Sequence, residues 1–342
     1  MKIQFTVNKI ILIASVVALA SIVYFFIWMN RDIEISNAEI NVSPTPRAGA
    51  YVNNSLTGEF CPNRGRRPVA VMLPGDAVDR PLSSISLADI VVEMPVNSKG
   101  VTRMMTIFQC EEPTEIGSIR SARDDFLPIA ASFNSIYAHW GGEKEALDKL
   151  NSGLLDNVDG LIYEGTTYYR VPGIKPPHNG FTTYARLIEN AINAGYSFRY
   201  TFVGYPRQEG KPTNNLSTLV NSININYEPP FQVSWTYDAP SNVYMRIRDN
   251  KPEVDKLNNK QVRASVIAVL ETTATPFEDG QYLKIETVGQ GRVTIYQNGT
   301  MIKGTWKKNP ADMSSKLFFL DSDGQEIKFT SGKIWVHYIT SS

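Results

Sequence analysis

The residues best suited to chemistry in this 342-residue chain gather between Arg103 and Asn179. Arg120-Ser121-Ala122-Arg123 follows Gly117 in IGSIRSAR, with a helix start just beyond it at Asp124-Asp125. Two guanidiniums and a hydroxyl beside a helix start suit an anion. The planar guanidinium fork matches phosphate or carboxylate, and free backbone N–H groups add to it. Arg103 heads an apolar run and can join them. The plainer alternative is local pairing of Arg120 and Arg123 with acids such as Asp124 and Asp125. A second group is His139-Trp140-Gly141-Gly142-Glu143. His139 ends a strand before a Gly-Gly turn and a helix, the edge where α/β domains bind ligands. Gly141 and Gly142 would let a ligand reach the backbone, and His139 with Glu143 is the candidate catalytic pair. Asp89 and Glu93 are alternative carboxylate partners. The bland reading is a structural histidine in a tight turn. The third group is Pro176-Pro177-His178-Asn179, where two prolines stiffen a loop that projects His178 and Asn179.

Other chemistries find less support. A triad of Ser121, His139 and an acid lacks any G-x-S-x-G elbow. Two cysteines and three histidines show neither C-x-x-C nor H-E-x-x-H spacing, so no metal site and no cofactor are expected. His337 falls in a closing strand and reads as structural. Cys61 and Cys110 can form a disulfide in an oxidising compartment or remain two buried thiols; their spacing does not decide.

The elements that must position these groups begin near Pro62. RPVAVML (67–73), ADIVVEM (88–94), RMMTIFQ (103–109) and SIYAHWG (135–141) read as strands. Helices are expected after Asp124-Asp125, over 142–150, and over 184–194 with a threonine cap and Gly195 as the stop. Alternating strands and helices make 61–205 an α/β domain. Residues 206–230, rich in Pro, Asn and Ser, read as an inter-domain linker. Residues 231–342 read as a smaller, mostly antiparallel β-domain. Its hairpins are marked by Asn298-Gly299 and Asp323-Gly324.

Ahead of the body, Ile10 to Met29 is a run of twenty uncharged residues, IILIASVVALASIVYFFIWM. As a helix it would span about 30 Å, the hydrocarbon thickness of a bilayer. Lys2 and Lys9 precede it, whereas Arg31, Asp32 and Glu34 follow. The expected topology is therefore a cytoplasmic N-terminus (1–9), a single transmembrane signal anchor (10–29), a polar linker (30–60) and an extracytoplasmic body. Cleavage after Ala20, in Ala18-Leu19-Ala20, is the competing reading. Beyond residue 31 the chain holds 31 basic and 34 acidic residues, net −3, which argues against a nucleic-acid partner.

The succession RPVAVML…RPLSSISLADIVVEMPV…GVTRMMTIFQ…IGSIRSARDDF…YAHWGGEKEAL…PPHN, followed by VSWTYD…YMRIRDNKP…NGTMIKGTWKK…DSDGQEIKFTSGKIWV, resembles the YerB-like candidate lipoproteins of Gram-positive bacteria. The resemblance runs from Arg66 to Ile339. It implies a two-domain, surface-attached envelope protein whose family has no established biochemical activity, so no catalytic residues carry over. Two departures stand out. An apolar span stands where lipid-modified relatives have a lipobox cysteine, and Pro74-Gly75-Asp76 replaces a polar, Asn-containing turn. Three functions remain in view. The first is binding of an anionic wall glycopolymer or peptide through Arg103, Arg120, Ser121, Arg123, His139, Gly141, Gly142, His178 and Asn179. The second is a wall hydrolase or transferase using His139. The third is a scaffold docking an envelope protein along an edge of the β-domain.

Overall fold

Short apolar runs become the middle of a ten-stranded sheet. The computed structural model describes residues 53–340 except 214, 216, 278, 279 and 281; 51–342 forms one compact unit. Strands β1 (Val69–Pro74), β2 (Ile90–Pro95), β3 (Thr102–Phe108), β4 (Ile136–His139) and β5 (Asn157–Asp159) come from the first half of the chain. From the second half come β6 (Val266–Thr272), β7 (Gly289–Gln297), β8 (Thr300–Lys308), β9 (Phe318–Leu320) and β10 (Ile334–Thr340). The order across the sheet is β9-β8-β7-β6-β10-β2-β3-β1-β4-β5.

Every residue of β1, β2 and β3 is buried, as expected of strands covered on both faces. Strand alternation divides their side chains between two cores. Ala70, Met72, Met105 and Ile107 join Phe126, Tyr137 and Trp306 on one face. Val69, Val71, Leu73 and Met104 join Trp235, Tyr244 and Trp335 on the other. The second core is covered by a smaller sheet whose main strands are Ser222–Ile225, Val233–Asp238 and Val243–Arg248. Three helices complete the first half: α1 (Leu127–Ser132), α2 (Lys144–Asn151) and α3 (Tyr184–Asn193). Thr183 caps α3 by accepting from Arg186 N.

The β-rich second half pairs β6 to β9 antiparallel, as expected of it, and its strands also join those of the first half. Strands β6 to β10 extend the sheet of the first half. Strand β10 lies between β6 and β2, parallel to both, with Ile334 opposite Val266 and Ile90. Its sequence IWVHYI is apolar enough to be buried on both faces, which favours an interior, parallel position over an edge. Within 206–230, Arg207–Gln208 pairs in parallel with Phe329–Thr330, and Ser222–Ile225 is a strand. The Asn298-Gly299 hairpin forms as read, both residues at positive φ (57° and 73°), joining β7 to β8. Asp323-Gly324 also turns, but the ladder beyond it is a single bridge, Leu320 to Glu326.

Cys61 and Cys110 are disulfide-bonded, with Cα atoms 5.7 Å apart. The bridge ties the segment leading into β1 to the end of β3. Among the described residues no helix is long and apolar enough to cross a membrane. The expected anchor, 10–29, and the linker up to residue 52 lie outside the described residues.

Candidate functional site

Strands β1, β4 and β5 are parallel, so their carboxyl ends share one edge of the sheet. Antiparallel β3 begins there, with Arg103 opposite Pro74. The segment Ile119–Arg123 straps across this edge. Arg120 N donates to Met72 O, Trp140 N to Arg120 O, and Ala122 N to Gly141 O. Three arginines are thereby brought together, each less than a tenth exposed.

Each arginine faces one carboxylate, and none of these acids is the local one that sequence offered. Arg120 Nη2 donates to Asp79 Oδ2 at 2.7 Å; Arg103 Nη1 lies 3.5 Å from Asp76 Oδ2; Arg123 Nε lies 3.8 Å from Glu143 Oε2. Asp124 is taken by Lys149 instead. The last two ion pairs are too long for hydrogen bonds. Accordingly Arg103 Nε and Nη1 and Arg123 Nε are buried without hydrogen-bond partners among the described residues. Burial, followed by the charge of Arg123, pushes the Arg103 guanidinium down to about 10, against the opposing pull of Asp76. A buried cation short of acceptors is a place where an anion gains the most.

Around this centre the environment is mixed. Asp79 has no exposed side-chain surface and accepts from Ser118 Oγ (2.9 Å) and from Arg120, with His178 Nδ1 2.9 Å from its Oδ2. The Arg120 guanidinium also contacts Pro177 O and His178 Nδ1. The Tyr137 hydroxyl is buried against the Arg123 backbone. Tyr282, from the second half, lies under the Arg123 guanidinium at 5.1 Å. Burial raises the Glu143 carboxyl, while its Oε1 accepts from Asp124 N at 2.5 Å. Burial pushes neighbouring Asp125 up to about 7, with the charges of Glu143 and Asp124 adding to it.

The candidates read from sequence therefore divide. Arg103, Arg120, Arg123, Glu143 and His178 converge, and half-buried Ser121 lies on the strap between them. His139 does not join them. It is fully buried, with Nδ1 2.8 Å from Gly141 O and Nε2 3.2 Å from Asn157 Oδ1. Asn179 turns away to accept from Arg170 Nη1 at 2.9 Å. The Gly-Gly turn serves the strap: a Cβ on Gly142 would sit 2.9 Å from the Ala122 Cβ, and Gly141 takes φ +61° while donating to Asp159. Asp89 caps the far end of β2 by accepting from Gln109 N and Cys110 N.

Glu93 lies on the opposite face of β2 from the arginine cluster. It is locked there by Arg246 and Arg248, with Glu253 completing the quartet. His337 is buried against this quartet, accepting from Trp235 Nε1 at 3.0 Å, and burial holds it neutral. Asp76, Asp79, Tyr137 and Tyr282 are the members that sequence reasoning missed. Only the Pro74-Gly75-Asp76 turn had drawn notice, as a departure from relatives.

Comparison with known proteins is consistent with this architecture. Residues 56–197 match the model of the N-terminal domain of a protein of unknown function, DUF3048, and residues 223–336 match the model of its C-terminal domain. The chain is 29% identical over 276 residues to YerB of Bacillus subtilis (strain 168), described as a candidate lipoprotein; the match covers 80% of this chain and 81% of that protein. A crystal structure of YerB from Bacillus subtilis matches with a TM-score of 0.72 at 28% identity, over 84% of this chain and 96% of that one.

Proposed function

The chain belongs to the YerB-like family defined by the two DUF3048 domains, and from that premise we propose that it binds an anionic cell-envelope ligand at the Arg103–Arg120–Arg123 cluster. The ligand class is a phosphate- or carboxylate-bearing wall glycopolymer or peptide. One observation carries the reading: among the described residues the buried Arg103 guanidinium has no hydrogen-bond partner on Nε or Nη1, while Asp76 stands off at 3.5 Å. An oxyanion has the geometry to fill that deficit bidentately. His178 and Ser121 border the same cluster and would contact the bound group.

The setting is an envelope protein held to the membrane by the apolar run 10–29, with the body outside. The disulfide supports export, since such bridges persist in oxidising compartments, and the candidate lipoprotein YerB offers a membrane-attached parallel. The decisive experiment is co-sedimentation of the full-length chain with purified wall fragments. Arg103→Ala/Arg123→Ala should lose at least about tenfold in affinity, the value of one or two charge-assisted hydrogen bonds. Unchanged binding by the double variant sinks the reading.

One observation favours a second reading, a hydrolase or transferase. Asp125 and Glu143 are both pushed upward beside Arg123, a setting suited to a carboxylic general acid. Glu143 would then take the role that sequence gave to His139. Release of soluble product from wall fragments, abolished in Glu143→Gln, is the outcome that would establish it.

A further inference from the structure

A cavity of about 390 Å³ opens where the two halves of the chain meet, on the opposite face of the sheet from Arg103. Arg80 and Pro81 line it from the loop after β1; Arg248, Lys251, Pro252 and Glu253 line it from the turn after the strand Val243–Arg248. Arg248 and Glu253 belong to the buried quartet, in which two arginines and two glutamates cancel. The remaining charges at the cavity are Arg80 and Lys251 against Asp249 alone. Neither Arg80 nor Lys251 has a carboxylate within ion-pair distance among the described residues. Arg80 Nη2 donates to Gly75 O at 2.7 Å, but its Nε is buried without a partner among the described residues. Burial and the neighbouring charge of Arg248 both work against the Arg80 cation, with Glu253 and Glu93 only partly offsetting them. The cavity is thus walled by two proline rings, is larger than a bare phosphate, and carries excess positive charge.

We infer that this seam cavity is a second ligand site, separate from the arginine cluster, for a phosphate or carboxylate carried on a small polar molecule or on the end of a polymer. Arg80 supplies the charge-assisted contact from the first half, and Lys251 closes over the ligand from the second. Because the cavity is made by both halves, an occupant bridges them and stabilises the folded chain by mass action. The site shares no residue with the Arg103 cluster and does not depend on the function proposed above.

The experiment is isothermal titration of the full-length chain, in detergent, with glycerol 3-phosphate as probe. Glycerol is the neutral control, and a short glycerol-phosphate polymer distinguishes a free from a polymer-borne anion. Titrations are run in wild type and in an Arg103→Gln/Arg123→Gln background, which isolates the cavity. Saturable binding of glycerol 3-phosphate should persist in that background. It should weaken at least about tenfold on adding Arg80→Gln or Lys251→Gln, as expected for loss of one charge-assisted hydrogen bond. Lys251 is exposed, so its replacement leaves the fold intact and keeps the result interpretable even if Arg80→Gln unfolds. No binding by the background protein, equal binding of glycerol, or unchanged affinity in Lys251→Gln overturns the inference.

Discussion

Asp125 ties the two halves of the chain together, and its protonation should be visible in stability. Its Oδ2 accepts from Ile285 N at 2.9 Å, and its carbonyl accepts from Thr287 Oγ1 at 2.8 Å. Burial is the main reason its pKa rises from 3.8 to about 7; the charges of Glu143 and Asp124 add to the rise, and the Ile285 hydrogen bond opposes it. A carboxyl with a raised folded-state pKa favours folding most when protonated. Its contribution is fully present below pH 3.8 and is lost as pH rises through about 7. A shift of about three units at about 1.4 kcal/mol each sets a ceiling of about 4 kcal/mol on the loss. Asp125→Asn keeps an acceptor for Ile285 N and abolishes the titration. Urea unfolding followed by tryptophan fluorescence, at intervals from pH 4 to pH 8, gives the test. Wild type should lose stability relative to Asp125→Asn across that range, by up to about 4 kcal/mol. Glu143 and Asp89 are shifted in the same direction but are present in both proteins, so their direct contribution largely cancels. Parallel stability curves for the two proteins would refute the assignment.

Two further outcomes follow from the geometry. Reducing Cys61–Cys110, which closes a separation of 49 residues, should lower stability by about 4 kcal/mol on chain-entropy grounds, read as a drop in the urea midpoint of a Cys110→Ser variant or of reduced wild type. Glu93→Ala leaves Arg246 and Arg248 in a core with half their countercharge and should cost about 3–5 kcal/mol, measured by the same unfolding; a cost below about 1 kcal/mol would show that the quartet is not needed.

What could be read from sequence depended on how local the cause was. Strands β1 to β4 announce themselves by compact apolar runs, and the Asn298-Gly299 turn by its requirement for positive φ. The arginines were legible because residue type alone carries their chemistry. Their partners were not. Asp76 and Asp79 sit in a loop without periodicity, and only the pairing of β1 with β3 brings that loop to Arg103. His139 looked functional because it ends a parallel strand, where ligands often bind. Its ring is instead consumed by the turn that follows and by Asn157 of β5. The placement of β10 was beyond local reading as well: an apolar strand says that it is buried, not which neighbours bury it.

The two halves match two separate family models, yet neither is complete alone. Without β10, β2 would be left as a long apolar edge, which is prone to pair with other chains. Without Arg246 and Arg248, Glu93 would be an uncompensated charge in the core, since those two guanidiniums hold it well below the usual carboxylate range. Asp125 would lose Ile285 and Thr287, and Arg123 would lose the ring of Tyr282. The dependence is reciprocal, because within the ten-stranded sheet β6 to β9 join the strands of the first half through β10. The arginine cluster and the seam cavity therefore both rest on a joint made of buried ion pairs and sheet pairing. Such a joint opens with difficulty, so a ligand bound as proposed at either site would meet a preformed receptor.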